Sequence, residues 1–124
     1  MTECIIIATS LDYEFPENQN IEQLISDKIA GCDYVICRDD TQADQSIIDV
    51  LRNTGVAYTV LHTDYQKYGK RGRYVSNNDM IRFSKQFDRI NVKTLGSSFD
   101  TDRLSKEAND INISKNTHMW GEDI

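Results

Sequence analysis

The chain has 124 residues, of which 39% are hydrophobic and 27% charged, and its net charge is −6. This length suits one domain with a single core, and no apolar run approaches the roughly 20 residues that a membrane-spanning helix needs. The three cysteines, Cys4, Cys32 and Cys37, are odd in number and have no CxxC spacing. They favour neither a disulfide framework nor a zinc site, and they are typical of a protein kept in a reducing cytoplasm.

Short β-branched runs alternate with amphipathic segments along the chain. Four runs predict strands that are covered on both faces, because they show little alternation of polar and apolar residues. They are Cys4–Ala8, Asp33–Cys37, Val56–Leu61 and Ile90–Thr94. Two helices are predicted after the capping residues Asn20 and Thr41, with glycine stops at Gly31 and Gly55.

The second half of the chain predicts two further helices. Ser76 is the expected cap of the first, and the last helix carries Leu104 and Ala108. Ile111–Ile113 is interpreted as a short fifth strand. The alternation predicts the α/β class, a Rossmann-like three-layer sandwich with a mostly parallel sheet of four to five strands. Residues 1–113 form the predicted domain and residues 114–124 a C-terminal tail.

Polar residues follow each predicted strand, at the edge where open parallel sheets bind their ligands. Neither GxGxxG nor GxxxxGK[ST] occurs, so no dinucleotide fingerprint or P-loop is predicted. No metal ligands, no cofactor and no catalytic residue are assigned. The candidate ligand-binding residues are Ser10, Asp12, Arg38, Asp44, His62, Lys70, Asn77, Ser97 and Ser98.

A basic segment interrupts this acidic chain. Residues 64–93 hold eight Lys/Arg against three Asp, a net charge of +5 that leaves −11 for the remainder. Such a segment could attract a small anion, whereas generic nucleic-acid binding is not favoured in a chain that is acidic overall. The alternative to an anion-binding role is that these basic residues form the solvent-exposed face of a helix. Lys70, Arg71 and Arg73 could hold a phosphate or carboxylate by charge. Their alternative is an exposed loop, which is weighed slightly more for Arg71 and Arg73 than for Lys70.

Three polar residues near the strand ends have plain alternatives as well. His62 beside Asp64 could serve as a general base, but a single histidine without a nucleophile or metal partner is more often structural. For Asp40 and Asp44, helix capping and compensation of the helix dipole are favoured over contact with ribose hydroxyls.

The run DYQKYGK at 64–70, followed by SNNDMI at 76–81, resembles the SLOG superfamily in its YspA/YpsA-related branch. Upstream, ADQSIIDVLRNTGVAYTVLHTDY is similar to the Ala-Asp helix, Gly-Val turn and third strand of that branch. Downstream, LGSSFDTDRLSKEANDINI resembles its glycine-rich turn and last helix. The likeness covers roughly Cys4 to Ile113 and implies a Rossmann-like domain that binds nucleotides or molecules derived from them.

The chain departs from the branch where phosphate would be held. The usual Gly-Gly-x-x-Gly-Ala-Asp loop is Arg38-Asp-Asp-Thr-Gln-Ala-Asp44 here, and the opening element is Thr9-Ser-Leu-Asp12, without its glycine or arginine. Ser76 stands where the branch has an arginine. Side chains in place of glycines narrow the approach of an anion to backbone N–H groups.

We therefore expect a small cytoplasmic protein that binds a nucleotide or nucleotide-derived ligand as a sensor, sponge or accessory factor, in a style compatible with phage or mobile-element origin. One alternative is an N-glycosidic or phosphoribosyl hydrolase or transferase that uses Asp44 or Asp12. Another is a protein-interaction module that has lost its ligand and binds a partner through its charged surfaces and the Trp120 tail. A homodimer is compatible with all three, and a membrane partner with none.

Overall fold

A computed structural model describes residues 2–122, with side chains for residues 2–114. Its centre is a four-stranded sheet of order β3-β2-β1-β4, in which every neighbouring pair is parallel. The strands are β1 (Glu3–Thr9), β2 (Tyr34–Arg38), β3 (Ala57–Leu61) and β4 (Arg89–Leu95). This arrangement confirms the predicted α/β, Rossmann-like sandwich, with four strands.

Helices cover both faces of the sheet. They are α1 (Ile21–Ile29), α2 (Gln42–Thr54), α3 (Tyr65–Tyr68), α4 (Gly72–Ser84) and α5 (Phe99–Glu122), with a 3₁₀ turn (Gly69–Arg71) between α3 and α4. On the first face, Ile5 and Ile7 of β1 pack with residues of α1 and α2 such as Ile25 and Leu51. On the second face, Ile6 packs with residues of α4 and α5.

The central position of β1 explains its unbroken apolar run. Successive side chains of a strand point to opposite faces, so a strand buried on both sides has no polar position to fill. Cys4 through Ala8 are all buried. The cysteines follow the same logic, since Cys4 and Cys37 are buried and Cys32 is partly buried. Burial raises the pKa of the Cys37 thiol to about 12.

Local capping sets the ends of the first two helices as predicted. The Asn20 side chain accepts a hydrogen bond from the backbone N–H of Gln23. Thr41 and Asp44 form a reciprocal capping box at the start of α2, and Gly55 ends that helix with φ 78°.

The predicted start of the α4 helix was wrong. Helix α4 begins at Gly72, so Ser76 lies inside it and donates from Oγ to the carbonyl of Arg73 at 2.9 Å. The earlier start also overturns the exposed-loop interpretation of Arg73, whose relative exposure is 9%. The physical reason is continuity, because α3 and the 3₁₀ turn lead directly into α4 without a break that a new cap would serve.

The predicted fifth strand at Ile111–Ile113 was also wrong, because these residues belong to α5. Ile111 packs against the second core cluster together with Leu104 and Ala108, at helical spacing. Its neighbour Asn112 accepts from the backbone N–H of Ile90 at 2.9 Å and donates to the Ile90 carbonyl at 2.6 Å. An amide side chain thus bonds the edge of β4 where the prediction placed a strand.

Two predictions concern the C-terminal segment and membranes. The side chain of Trp120 lies outside the described part of the chain. Within residues 2–122, none of the helices combines the length and the apolar character that crossing a membrane requires.

Candidate functional site

The sheet order reverses at β1, which is paired with β2 on one side and β4 on the other. The connection from β3 to β4 crosses the sheet. The loops after β1 and β4 therefore lead to helices on opposite faces, α1 on the first face and α5 on the second. Ligands of open α/β sheets bind in the crevice that such a reversal creates. Beyond the strand ends here, the backbone N–H of Ser10 donates to the carbonyl of Leu95 at 2.9 Å. Ser10 is fully buried.

Arg38, the last residue of β2, places a buried guanidinium at this reversal. Its relative exposure is 1%. Nη2 donates to the carbonyl of Thr9 at 2.9 Å, and Nη1 donates to Oδ1 of Asn77. Nε is buried and has no hydrogen-bond acceptor among the described residues. A buried polar atom without a partner is uncommon and calls for an explanation.

Arg73 of α4 brings a second guanidinium to the same carbonyl. Its Nη2 donates to the carbonyl of Thr9, as Nη2 of Arg38 does. Its Nη1 donates to Oδ2 of Asp40 at 2.5 Å, and its Nε donates to Oδ2 of Asp100 at 2.7 Å. The sequence named Arg73 as a possible anion ligand but did not place it among the candidate site residues. The available signal was its position four residues before Asn77, which places both on one face of a helix that starts at Gly72.

Two carboxylates balance the two arginines. Asp40 lies two residues after the end of β2, and its side chain is almost fully buried. Asp100 lies in the first turn of α5, with a side chain that is 31% exposed, and its Oδ2 is 3.8 Å from Nη1 of Arg38. Ser98 donates from Oγ to Oδ1 of Asp100. We call Arg38, Arg73, Asp40 and Asp100 the arginine–aspartate cluster.

The pKa shifts follow from burial and from these contacts. Burial first, and then the neighbouring charge of Arg73, lower the pKa of Arg38. Burial alone would lower the pKa of Arg73, but its bonds to Asp100 and Asp40 raise it overall. Burial would raise the pKa of Asp100, but hydrogen bonds from Ser98 and Arg73 hold it below the usual range. The raised pKa of Arg73 and the lowered pKa of Asp100 both favour the ion pair between these two side chains.

A small pocket between α4 and α5 opens next to the cluster. Its volume is about 80 Å³. Asn77 and Asp100, the partners of Arg38 and Arg73, form part of its wall, and two exposed aromatic residues, Tyr74 and Phe99, line it as well. Phe99 is 82% exposed. This volume is well below the roughly 300 Å³ at which small-molecule sites begin.

A wider cleft of about 490 Å³ lies on the first face, between the loop after β1 and the start of α2. The loop contributes Leu11, Asp12, Tyr13, Glu14 and Phe15, and the helices contribute Ile21, Thr41, Gln42, Ala43 and Ser46. The rings of Tyr13 and Phe15 meet edge to face, with centroids 5.2 Å apart. The cleft is thus large enough for a small molecule and combines aromatic, hydroxyl and carboxylate groups.

The structure brings only part of the predicted site together. Ser10, Arg38, Asn77 and Ser98 meet around the end of β1, directly or through Thr9 and Asp100. Asp12 lies in the wide cleft instead. Ser97 is exposed beside Ser98, and Lys70 is exposed on the 3₁₀ turn.

Asp44 and His62 are engaged in contacts of their own. Asp44 is 1% exposed. It accepts from Thr9 Oγ1 at 2.6 Å and from the N–H groups of Asp40 and Thr41 at 3.0 Å each. These bonds confirm the predicted capping role. His62 is exposed, and its Nδ1 lies 2.8 Å from Oδ2 of Asp39.

The described residues contain no group of three or more His, Cys, Asp or Glu side chains that could hold a metal ion. The fold and the polar reversal point define the class: a Rossmann-like α/β domain with an all-parallel sheet. Comparison with known proteins adds no relative, since no family model, no curated protein and no solved structure matches the chain. The resemblance to the SLOG superfamily stays a prediction.

Proposed function

We propose that this chain binds a nucleotide or nucleotide-derived small molecule across the carboxyl ends of β1, β2 and β4, as a sensor, sponge or accessory factor. The observation that carries the proposal is the wide cleft of about 490 Å³ at the strand ends. Its volume lies within the range of roughly 300–1,000 Å³ that is typical of small-molecule sites.

The groups in the cleft suit a nucleoside. Tyr13 and Phe15 offer aromatic surface to a base, and aromatic rings prefer stacked or edge-to-face contacts. The carboxylates of Asp12 and Glu14 can accept hydrogen bonds from ribose hydroxyls, while Gln42 adds an amide that donates and accepts. Acidic residues repel a phosphate, so this cleft suits the uncharged part of a nucleotide rather than its phosphates.

The cleft and the arginine–aspartate cluster are neighbours. The turn at Gly96 touches both Ser10 and Tyr13, because a Cβ built on Gly96 would lie 3.1 Å from Cβ of Ser10 and 3.2 Å from Cδ1 of Tyr13. Tyr13 lines the cleft, and the residue before Ser10 supplies the carbonyl that both arginines bind. One ligand spanning the strand ends would thus meet aromatic rings and carboxylates on one side and guanidiniums on the other.

The test is a thermal-shift panel with adenosine, AMP, NAD, ADP-ribose and a cyclic dinucleotide, followed by calorimetry on each compound that stabilises the chain. A ligand present at about 100 times its Kd stabilises the folded state by about 2.7 kcal/mol, which raises Tm by several degrees in a domain of this size. Native mass spectrometry of the protein from its own host looks for a small molecule that co-purifies.

Two bulky variants on α2 locate the site. Ser46→Trp fills the cleft, whereas Asn53→Trp adds the same ring at an exposed position of the same helix. We expect the ligand-dependent rise in Tm to disappear in S46W and to persist in N53W. A panel that leaves Tm unchanged throughout, with no co-purifying molecule, would overturn the proposal. Equal ligand-dependent shifts in Tm in both variants would show that the ligand does not bind in the cleft.

A further inference from the structure

The two guanidiniums of the cluster converge in a way that requires an anion between them. Arg38 and Arg73 come from different elements, β2 and α4, yet both donate to the carbonyl of Thr9. Two like charges this close repel each other strongly in a poorly solvated site. Arg38 is 1% exposed and Arg73 is 9% exposed, so water screens this repulsion little.

Asp100 supplies that anion. Its Oδ2 lies 2.7 Å from Nε of Arg73 and 3.8 Å from Nη1 of Arg38, so one carboxylate oxygen faces both cations. Asp40 contacts Arg73 from another side, and it is held there by a second bond, from the hydroxyl of Tyr65 at 2.9 Å. Of the two carboxylates, Asp100 is the one partly open to solvent, with 31% exposure against 2% for Asp40.

The bonding of Arg38 is incomplete even with Asp100 in place. Nε of Arg38 is buried and lacks an acceptor among the described residues. Nη1 of Arg38 lies 3.8 Å from Oδ2 of Asp100, which is longer than a hydrogen bond. A single carboxylate therefore leaves donors unused that a tetrahedral oxyanion, with more oxygen atoms, would engage. Arginine forks match phosphate oxygens in pairs.

Asp100 also stands where a ligand would enter. It lies in the first turn of α5 and lines the small pocket between α4 and α5, together with Asn77. Its neighbour Phe99 is 82% exposed and packs into no core. The turn that carries both residues follows Gly96, which has a φ of +80°. The carboxylate that contacts both arginines is thus part of the wall of a pocket of about 80 Å³.

We propose that Arg38 and Arg73 form the phosphate subsite of this protein and that the carboxylate of Asp100 occupies it until a phosphate group displaces it. The identity of the ligand as a nucleotide rests on the proposed function, whereas the subsite itself rests on the cluster. Displacement breaks the contacts of Asp100 with both arginines and gives the phosphate oxygens to them, including to Nε of Arg38.

This exchange predicts an unusual mutant. Replacing Asp100 by Asn removes the competing carboxylate, so the chain should bind phosphate compounds about tenfold more tightly, although the variant loses an ion pair. A carboxylate that served the folded structure alone would produce no such gain. The probes are inorganic pyrophosphate and AMP, with adenosine as the compound that lacks phosphate, measured by calorimetry.

Asp102→Asn is the matched control. Asp102 lies two residues away on the same helix and is exposed, so it changes the net charge equally without touching the arginines. Asp100→Ala serves as a second variant, and circular dichroism verifies that each protein is folded. We expect tighter pyrophosphate and AMP binding in D100N and D100A, unchanged binding in D102N, and loss of the gain in the double variant D100N/R73Q. Adenosine should show no gain in any variant.

Wild-type protein supplies a readout that needs no variant. In ¹⁵N-resolved spectra, titration with pyrophosphate should shift the Nε–H resonances of Arg38 and Arg73, because both acquire or exchange an acceptor. Resonances that do not move at saturating pyrophosphate would overturn the inference, as would D100N binding no tighter than D102N. If AMP or another nucleotide still stabilises the wild-type protein in that case, the proposed function stands. If no nucleotide binds wild type or D100N, the proposed function fails as well.

Discussion

Gly96 and Ser10 are packed so closely that no side chain fits between them. A Cβ on Gly96 would lie 2.1 Å from Oγ of Ser10, and the backbone of Gly96 has a φ of +80°. The contact joins the first residue after β4 to the first residue after β1, where the sheet order reverses. Only glycine meets both the steric and the conformational demand at this position.

Gly96→Ala should therefore destabilise the protein more than an alanine at another glycine of positive φ. We expect a loss of about 2–4 kcal/mol in the free energy of unfolding, combining backbone strain with a clash against a buried residue. Gly55→Ala is the control, because Gly55 has a φ of +78° and open space around its Cβ position. There we expect a loss of about 1–2 kcal/mol from strain alone. Urea unfolding measures both, and equal losses would contradict the packing argument.

Asp44→Asn tests the role of the buried carboxylate at the start of α2. Oδ2 accepts from two backbone N–H groups and Oδ1 accepts from the Thr9 hydroxyl. A neutral amide weakens these charge-assisted bonds, and its NH₂ must face the Thr9 hydroxyl, which then has to accept instead of donate. We expect a loss of about 2–3 kcal/mol in the free energy of unfolding. Asp49→Asn on the same helix, where the side chain is 71% exposed, should change it by less than about 0.5 kcal/mol.

The Asp44 variant bears on the enzymatic alternative as well. A hydrolase or transferase using Asp44 would lose turnover in D44N at temperatures where the variant remains folded. A loss of turnover that follows the fraction unfolded would instead assign Asp44 to the structure. Any assay of D44N should therefore be run below the onset of its thermal transition.

The coupling between Arg73 and Asp100 can be measured by a double-mutant cycle. Arg73→Gln leaves Asp40 and Asp100 without their main cation, so we expect a loss of about 2–3 kcal/mol in the free energy of unfolding. Asp100→Asn in the R73Q background should cost about 1–2 kcal/mol less than it does alone. Arg103→Gln removes an exposed ion pair of α5 with Glu107 and should cost less than about 0.5 kcal/mol. Strict additivity of R73Q and D100N would refute the coupling.

His62 predicts a component of stability that depends on pH. Its hydrogen bond to Asp39, and then the charge of that residue, raise the pKa of His62 above 6.5 in the folded state. A histidine whose pKa is higher in the folded than in the unfolded state stabilises the folded protein. This contribution is complete at pH values below the unfolded pKa of 6.5, and it is lost as the pH rises through the folded pKa. A urea midpoint that falls with increasing pH in wild type, and falls less in His62→Gln, is the expected result.

NMR titration of the His62 ring identifies the cause of that shift. Asp39→Asn should return the pKa of His62 close to 6.5, whereas Asp64→Asn, which removes a lesser charge, should lower it much less. A pKa that stays raised in D39N would assign the shift to another group.

The sequence by itself determined the elements whose signals are local. A run of β-branched residues without polar alternation defines β1, and Asn20 and Thr41 cap their helices through contacts with residues three positions away. The same locality allowed Asp44 to be recognised as a capping residue. The sequence also predicted candidate site residues at the strand ends, because parallel strands bring their carboxyl ends to one edge of the sheet.

Only the tertiary structure decided which of these residues contact one another. Arg73 lies in a segment whose basic composition is typical of an exposed surface. Helix α4 nevertheless places it where the sheet order reverses, and there it contacts Thr9, Asp40 and Asp100 from three other parts of the chain. Ile111 belongs to a helix because Leu104 and Ala108 share its core face, a preference that three residues alone do not express. Pairing across 27 to 64 positions depends on the order of the strands, and strand order is set by the packing of the whole core rather than by any local pattern.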